Sequence, residues 1–146
     1  MRGLKGIIAV VAAVAATAAA ACGTSPESRR TLRLNTLTYS FEILPEMASP
    51  YAREFIGYRV RVLDRETRQP IINGEGRIFA SNRDGAKTWD GLEPAPEVGW
   101  YTARLNFIVA GSWPMAIQFR RDSLAPLERA DWQQDVLDER STDTLP

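Results

Sequence analysis

Residues 101–119 read YTARLNFIVAGSWPMAIQF, and their alternation is the strongest structural signal in the chain. Large apolar side chains stand at every second position in Tyr101–Val109 and again in Trp113–Phe119. A period of two is the spacing of a β-strand with one buried face. Because the Ala-Gly-Ser triplet at 110–112 separates the two runs, the pattern predicts a β-hairpin whose apolar side chains share one face.

The same period recurs upstream. Apolar and polar side chains alternate over 37–43 and 58–62, and a third apolar segment spans 77–80. The stretch 80–99 is predicted to be rich in loops, with room for one short strand at 87–89. No long helical pattern occurs before residue 123. Several short strands separated by turn signals, within the roughly 100 residues that such a domain uses, predict an all-β, antiparallel immunoglobulin-like β-sandwich over residues 31–122.

The segment after this predicted sandwich is more polar. Pro126 is followed by LERADWQQDVLDER, in which Leu127, Ala130 and Leu137 fall loosely on one face of a helix. The final STDTLP has no apolar periodicity. Residues 123–146 are therefore expected to form a short C-terminal helix or a disordered tail.

The amino terminus resembles an export signal. Met1, Arg2 and Lys5 form a basic start, and sixteen small or apolar residues follow over Gly6–Ala21. A membrane-spanning helix needs about 20 apolar residues, so this run is short for a span and typical of a signal peptide. Residues 1–21 are predicted to be the signal, and residues 22–30, which are small and polar, a tether.

Cys22 is the only cysteine in the chain and directly follows this run. The four residues Ala-Ala-Ala-Cys at 19–22 resemble the bacterial lipobox, whose cysteine receives a diacylglyceryl thioether and becomes the first mature residue. Lipidation of Cys22 would anchor the domain to a membrane on the extracytoplasmic side of the cell envelope. The alternative is an ordinary secretory signal that leaves Cys22 as a free thiol.

Composition excludes several classes of function. The chain of 146 residues has 18 Lys and Arg against 18 Asp and Glu, and removing the signal leaves 16 against 18, a net charge of about −2. This balance argues against binding to nucleic acid. The chain has no histidine, which removes the usual general base and the commonest metal ligand. We therefore expect a protein that is not an enzyme and needs no cofactor.

Two longer stretches resemble a known group of domains. YRVRVLDRETRQPI at 58–71 and GWYTARLNFIVAGSWPMAIQF at 99–119 are similar to the YtkA-like and FixH-like immunoglobulin-like domains of bacterial envelopes. The resemblance rests on Asp64, Pro70 and Ile71, then Gly99 with Tyr101, then Gly111 with Trp113. It implies a periplasmic or surface accessory domain, in some members associated with oxidase assembly or copper handling.

Metal binding has little support in the residues themselves. Copper-handling members of that group use Met and His, whereas the mature part of this chain holds only Met47, expected to be exposed, and Met115, on the predicted core face. Loop carboxylates that could gather around calcium are those of Asp64, Glu66, Asp84 and Asp90, but no twelve-residue calcium loop is present. We therefore assign no metal site.

The tryptophans suggest a binding surface. Trp100 is out of phase with the apolar set and shares the outer face of its strand with Arg104 and Asn106, while Trp89 and Trp132 lie in a loop and in the tail. Exposed Trp beside Arg is typical of protein interfaces. These five residues are predicted to bind a partner in the envelope or membrane, unless the tail folds back over Trp100 or Trp89. The alternative function is a periplasmic module that binds copper, calcium or a glycan.

Overall fold

The computed structural model describes residues 30–141, which form nine strands in two antiparallel sheets. The strands are β1 Leu32–Asn35, β2 Tyr39–Pro45, β3 Phe55–Asp64, β4 Glu75–Ser81, β5 Lys87–Gly91, β6 Glu93–Pro94, β7 Trp100–Asn106, β8 Gly111–Arg120 and β9 Glu128–Val136. The sheet orders are β1-β2-β3-β7-β6 and β5-β4-β8-β9. Among these residues no helix is long and apolar enough to span a membrane. The predicted signal, Cys22 and most of the tether lie outside the described residues.

The inward faces of the two sheets enclose an aromatic core. Tyr39 and Tyr101 meet the Phe119 ring edge-on, with ring centroids 5.1 and 5.5 Å apart, and Phe107 meets Trp113 in the same way at 5.1 Å. Edge-to-face pairs are a favoured aromatic geometry, and each such residue buries a large apolar area. The predicted antiparallel β-sandwich is confirmed.

The predicted hairpin at 101–119 is wrong, although both of its strands exist. β7 pairs with β3 and β6, whereas β8 pairs with β4 and β9, so the connection crosses from one sheet to the other. The indole N–H of Trp113 donates to the carbonyl oxygen of Val109 at 3.1 Å within this crossing. Apolar alternation indicates which side chains of a strand face the core. Two successive strands show the same alternation whether they pair within one sheet or lie in opposite sheets.

The predicted C-terminal helix is also wrong, because the segment forms β9, which pairs with β8 along its whole length. The side chains of Ala130, Trp132 and Val136 face inward at every second position, and Trp132 stands opposite Met115. The polar Gln134 occupies an inward position in this series, which hides the period of two in the sequence. The four-stranded sheet therefore extends beyond residue 122.

Asp64, at the end of β3, joins the two sheets at one end of the sandwich. Its carboxylate accepts the N–H groups of Glu66 and Thr67 at 3.0 Å and pairs with the Arg121 guanidinium at 2.6 Å. The Thr67 N–H and the Arg121 guanidinium, followed by the Glu66 N–H, lower the pKa of Asp64 to about 2. Since Arg121 follows β8, this ion pair connects strands of opposite sheets.

Candidate functional site

Trp100, Arg104 and Asn106 lie together on the outer face of the five-stranded sheet, as predicted. They occupy alternate positions of β7, and the cross-strand register places Arg61, Gly57 and Phe55 of β3 opposite them on the same face. Their common orientation follows from the period of two alone.

Trp100 is covered by an arginine of its own sheet, and the described part of the predicted tail forms β9 in the other sheet. The Arg59 guanidinium carbon lies 4.7 Å from the centroid of the indole ring, and an Arg59 nitrogen contacts a Glu97 oxygen at 3.1 Å. A cation over an indole ring is attracted by the negative face of the ring. Trp100 is therefore half-buried, with Arg59 and Glu97 forming a charged cover over it.

A second arginine–aromatic pair lies at the other end of β7. The Arg104 guanidinium carbon is 4.9 Å from the centroid of the Phe55 ring, and Phe55 is 60% exposed. Asn106 stands opposite Phe55, and its side-chain oxygen is buried with no hydrogen-bond partner in the described part of the chain. Sequence analysis missed Phe55, although it is in phase with the outward Arg59 and could have been found by extending that alternation backwards.

An open groove of about 770 Å³ lies between the two pairs. Gly57 contributes to its lining, with Arg104 opposite it on β7 and Arg59 two residues further along β3. The Gly57 N–H donates to a Glu46 carboxylate oxygen at 3.0 Å, and a Cβ at this position would stand 3.2 Å from the same oxygen. The remaining lining residues are Leu44, Pro45, Glu46, Tyr58, Asp90, Glu93, Thr102 and Ala103.

Trp89 and Trp132, both on strands of the four-stranded sheet, do not line this groove. Trp89 is 67% exposed on the outer face, opposite Phe79 in the register of β4 and β5. Trp132 faces inward and packs against the core. The five predicted partner-binding residues thus occupy three separate places.

One lateral side of the sandwich is sealed. The chain passes from β5 in one sheet to β6 in the other, and side chains of β5 complete the hydrogen bonding of β7. An Asp90 carboxylate oxygen accepts the Arg104 N–H at 2.8 Å, and the Thr88 hydroxyl accepts the Asn106 N–H at 3.3 Å. The edge of β7 beyond β6 is therefore covered.

The opposite lateral side holds a cleft of about 740 Å³ between β1 and β9. Leu32, Tyr58, Trp132 and Gln134 line it, and Arg30 stands at its mouth, where the described chain begins. The Tyr58 hydroxyl is buried with no hydrogen-bond partner among residues 30–141, and burial raises the pKa of Tyr58. A buried hydroxyl without a partner is destabilising, so this cleft is the less well satisfied side of the core.

The side chains considered for metal binding do not come together. Asp64 is engaged by Arg121 and Asp90 by the β7 backbone, and residues 30–141 contain no group of three Asp, Glu, His or Cys that could hold an ion. Met115 is buried, and Met47 packs partly buried against the core instead of being exposed as expected. Two separated thioethers do not form a copper site.

Comparison with known proteins finds similar folds but does not identify a family for this chain. The sequence matches no protein-family model and no curated protein. A DUF4426 family protein from Pseudomonas aeruginosa superposes with a TM-score of 0.57 at 9% identity, over 75% of this chain and 99% of that chain.

Two structures of FetP from uropathogenic Escherichia coli strain F11 also match. A copper-bound variant gives a TM-score of 0.51 at 12% identity, over 80% of this chain and 96% of that one. FetP as isolated after recombinant expression in the periplasm gives 0.50 at 10% identity, over 73% and 93%. At these identities the similarity is one of fold alone.

Proposed function

We propose that the protein is a lipid-anchored domain of the bacterial cell envelope that binds another envelope protein, as an accessory or assembly subunit of a membrane complex. The observation that carries this proposal is the groove lined by Gly57 and flanked by two arginine–aromatic pairs, Arg59 with Trp100 and Arg104 with Phe55. Arg and aromatic residues are enriched at interface centres. The similarity to YtkA-like and FixH-like domains points to the same role.

The mixed charge of this face suits a protein partner better than a polyanion. Glu42 lies between Arg33 and Arg61, 3.6 Å from each, and Arg59 pairs with Glu97. Because positive and negative groups alternate here, the face lacks the single-sign field that attracts nucleic acid. A partner with its own alternating charges could exchange these ion pairs for intermolecular ones.

The proposed anchor rests on the lipobox-like motif ending at Cys22. Arg30 lies eight positions after Cys22 in the sequence, and an extended chain of that length spans at most about 27 Å. Such a tether would hold the domain close to the membrane surface. We expect Cys22→Ser to abolish acyl labelling and to move the protein from the membrane fraction to the soluble fraction. Unchanged membrane retention without labelling would contradict the lipid anchor.

The partner-binding face is tested by affinity capture of the full chain, tagged after Pro146, from gently solubilised membranes. Trp100→Ala with Arg104→Ala should lower the yield of a stoichiometric co-captured subunit roughly tenfold or more, because Trp and Arg at an interface centre each contribute over about 1 kcal/mol. The matched control is Trp89→Ala with Arg77→Ala, which removes the same residue types from the four-stranded sheet. Equal yields from both variants would rule out this face.

The alternative function is a module that binds copper, calcium or a glycan, and of these three ligands only a glycan suits the described residues. A FetP variant is bound to copper in one of the matching structures, but the donors among residues 30–141 do not fit copper, and the loop carboxylates there lie apart. A glycan remains the second candidate, because the groove combines carboxylates and guanidinium groups beside Trp100. A thermal shift with an envelope oligosaccharide, lost in Trp100→Ala and kept in Trp89→Ala, would favour it over a protein partner.

A further inference from the structure

Gly57 is the third residue of β3, a ten-residue strand with a neighbour on each side, and the fold itself does not require glycine there. Its φ is not positive, and a Cβ would meet only the carboxyl end of the flexible Glu46 side chain. By contrast, a Cβ on Gly99 would stand 2.5 Å from the Cβ of Pro70. Glycine inside a strand weakens it and often marks a place where a ligand or another backbone approaches closely. Within residues 30–141, no backbone beyond its chain neighbours lies within 4 Å of that Cβ position.

The two arginines beside Gly57 lean away from each other. Arg104, opposite Gly57 on β7, extends over the Phe55 ring, and Arg59 extends over the Trp100 ring. Phe55 and Trp100 lie towards opposite ends of the paired part of β3 and β7. The two arginine side chains therefore diverge and leave an opening above Gly57, which we call the Gly57 notch.

The Gly57 notch lies where side chains of neighbouring strands approach most closely. The Gly57 N–H donates to Glu46 at 3.0 Å and the Arg104 N–H donates to Asp90 at 2.8 Å, so the two residues direct their N–H groups away from each other. They form a non-hydrogen-bonded pair, in which the Cα atoms are about 4.5 Å apart. The absent side chain at Gly57 therefore leaves space directly beside Arg104.

We propose that the partner protein inserts one aromatic side chain into the Gly57 notch, between the Arg59 and Arg104 side chains. This contact rests on the proposed function, because it needs a protein partner on this face. It is supported by the charges around the notch and by the positions of the two guanidinium groups.

Charges of both signs surround the Gly57 notch, so an ionised side chain is disfavoured there. A carboxylate would meet the Glu46 carboxylate, which the Gly57 N–H holds beside the notch, and an ammonium group would meet two guanidinium groups. Like charges repel at short range. A neutral side chain avoids both contacts.

Among neutral side chains, an aromatic ring suits the two guanidinium groups best. A guanidinium group is planar and attracts the face of an aromatic ring. The guanidinium carbons of Arg59 and Arg104 lie 4.7 and 4.9 Å from the ring centroids that they cover, and the opposite face of each group is turned away from that ring. An inserted ring therefore meets guanidinium groups that are already positioned, and it buries a large area with few rotatable bonds.

Filling the notch tests the proposal in the full chain, tagged after Pro146, by the capture from gently solubilised membranes. Gly57→Ala should lower the yield of the co-captured subunit severalfold and Gly57→Val about tenfold or more, because each added methyl group takes space from the inserted ring. Gly91→Val is the matched control, because a Cβ at Gly91 has nothing within 4 Å and lies in the four-stranded sheet. Thermal unfolding of each variant checks that the sandwich is retained. Equal yields from the folded Gly57→Val and Gly91→Val variants would overturn the proposal.

A cross-link identifies the inserted side chain in the parent chain, without filling the notch. A small diazirine side chain in place of Thr102, which lines the groove opposite Arg59, should cross-link to a partner segment that contains Phe, Tyr or Trp. Changing that aromatic residue of the partner to Ala should lower capture by the parent chain about tenfold, but should cost Gly57→Val little more, because both changes remove one contact. Additive losses, or a cross-linked segment without an aromatic residue, would overturn the proposal.

The same experiments separate the aromatic contact from the proposed function. A subunit that is lost with Trp100→Ala and Arg104→Ala but unaffected by Gly57→Val would retain the partner-binding face and overturn the insertion. The absence of a stoichiometric subunit with the parent chain would overturn both. A cross-link only to a second copy of this chain, or an oligosaccharide thermal shift that Gly57→Val abolishes while capture is unchanged, would assign the notch to a different occupant and overturn the proposal.

Discussion

The two lateral sides of the sandwich end their sheets in different ways. On the side of β5 and β6 the chain itself passes between the sheets, and Asp90 and Thr88 bond the exposed N–H groups of β7. On the side of β1 and β9 no strand of the described residues passes between the sheets, although residues 50 and 52 bond the main chain of Leu137 just after β9. Side-chain bonds between the sheets are made near the ends of the cleft. There the Thr38 N–H donates to Glu128, and the Gln134 side chain donates to the Ala48 carbonyl.

Two buried tyrosines in the core differ in whether their hydroxyl groups have hydrogen-bond partners. The Tyr101 hydroxyl, on β7, donates to the Ile71 carbonyl at 2.7 Å and accepts the Gly74 N–H at 3.0 Å. The Tyr58 hydroxyl, at the open cleft, has no partner in the described structure. Both groups that bond the Tyr101 hydroxyl belong to the connection from β3 to β4, which passes from one sheet to the other.

The largest expected effect contrasts these two hydroxyls. Tyr101→Phe leaves a buried carbonyl and a buried N–H without their partner and should lower the free energy of unfolding by about 1–3 kcal/mol. Tyr58→Phe removes an unpaired polar group and should be neutral or stabilising. Denaturant unfolding of both variants measures the difference. Equal losses would show that Tyr58 is satisfied in solution and that the two sides do not differ in this way.

A smaller effect is expected at the strand edges. Asp90→Ala removes the acceptor of the Arg104 N–H and should cost about 1 kcal/mol, whereas Asp90→Asn retains an oxygen acceptor and should cost less. Asp135→Ala on β9 is the counterpart on the open side and should change the stability of the monomer by less than about 0.5 kcal/mol. Unfolding measured at low protein concentration separates these values from self-association. A larger loss of unfolding free energy in Asp135→Ala than in Asp90→Ala would contradict the expected difference between the two sides.

The smallest expected effect is a loss of stability at acid pH. It comes from the carboxylates of Asp64 and Glu128, which form bonds between the two sheets at one end of the sandwich. The folded-state pKa of Asp64 is about 2, below its usual 3.8, so its contribution is complete above pH 4 and is lost as the pH falls towards 2. At Glu128 burial opposes ionisation, but hydrogen bonds from Thr36 and Thr38 outweigh it and lower the pKa, so its contribution is lost in the same direction.

Asp64→Asn should therefore flatten the decline of thermal stability between pH 4 and pH 2, with Asp84→Asn as the control of equal charge change. Melting temperatures across this range measure the slope. An Asp64→Asn variant that retains the full acid dependence would show that the Arg121 pair does not tie the sheets.

Local patterns predicted strands β2, β3, β4, β7 and β8 and the shared face of Trp100, Arg104 and Asn106, because alternation along one strand needs no knowledge of its neighbours. Strands β1 and β6 were not predicted. Phe55 continues the outward alternation of β3 and could be found from it, whereas Gly57 has no side chain and matters only through the register of β3 against β7. The tail was assigned to a helix because Gln134 at an inward position broke the apolar series. Its side chain is accommodated there by the Ala48 carbonyl, which lies far away in the sequence.

The amino-acid sequence by itself indicated an antiparallel β-sandwich, since several strands with a period of two each leave one apolar face to bury, and residues 31–122 contain no helical pattern that could cover those faces. Only the tertiary structure decided that β7 and β8 belong to opposite sheets, that the tail is a strand, and that one side is sealed while the other is open. These features depend on which main-chain groups meet across space. Side-chain alternation records which way each residue faces, but it carries no information about the strand that lies beside it.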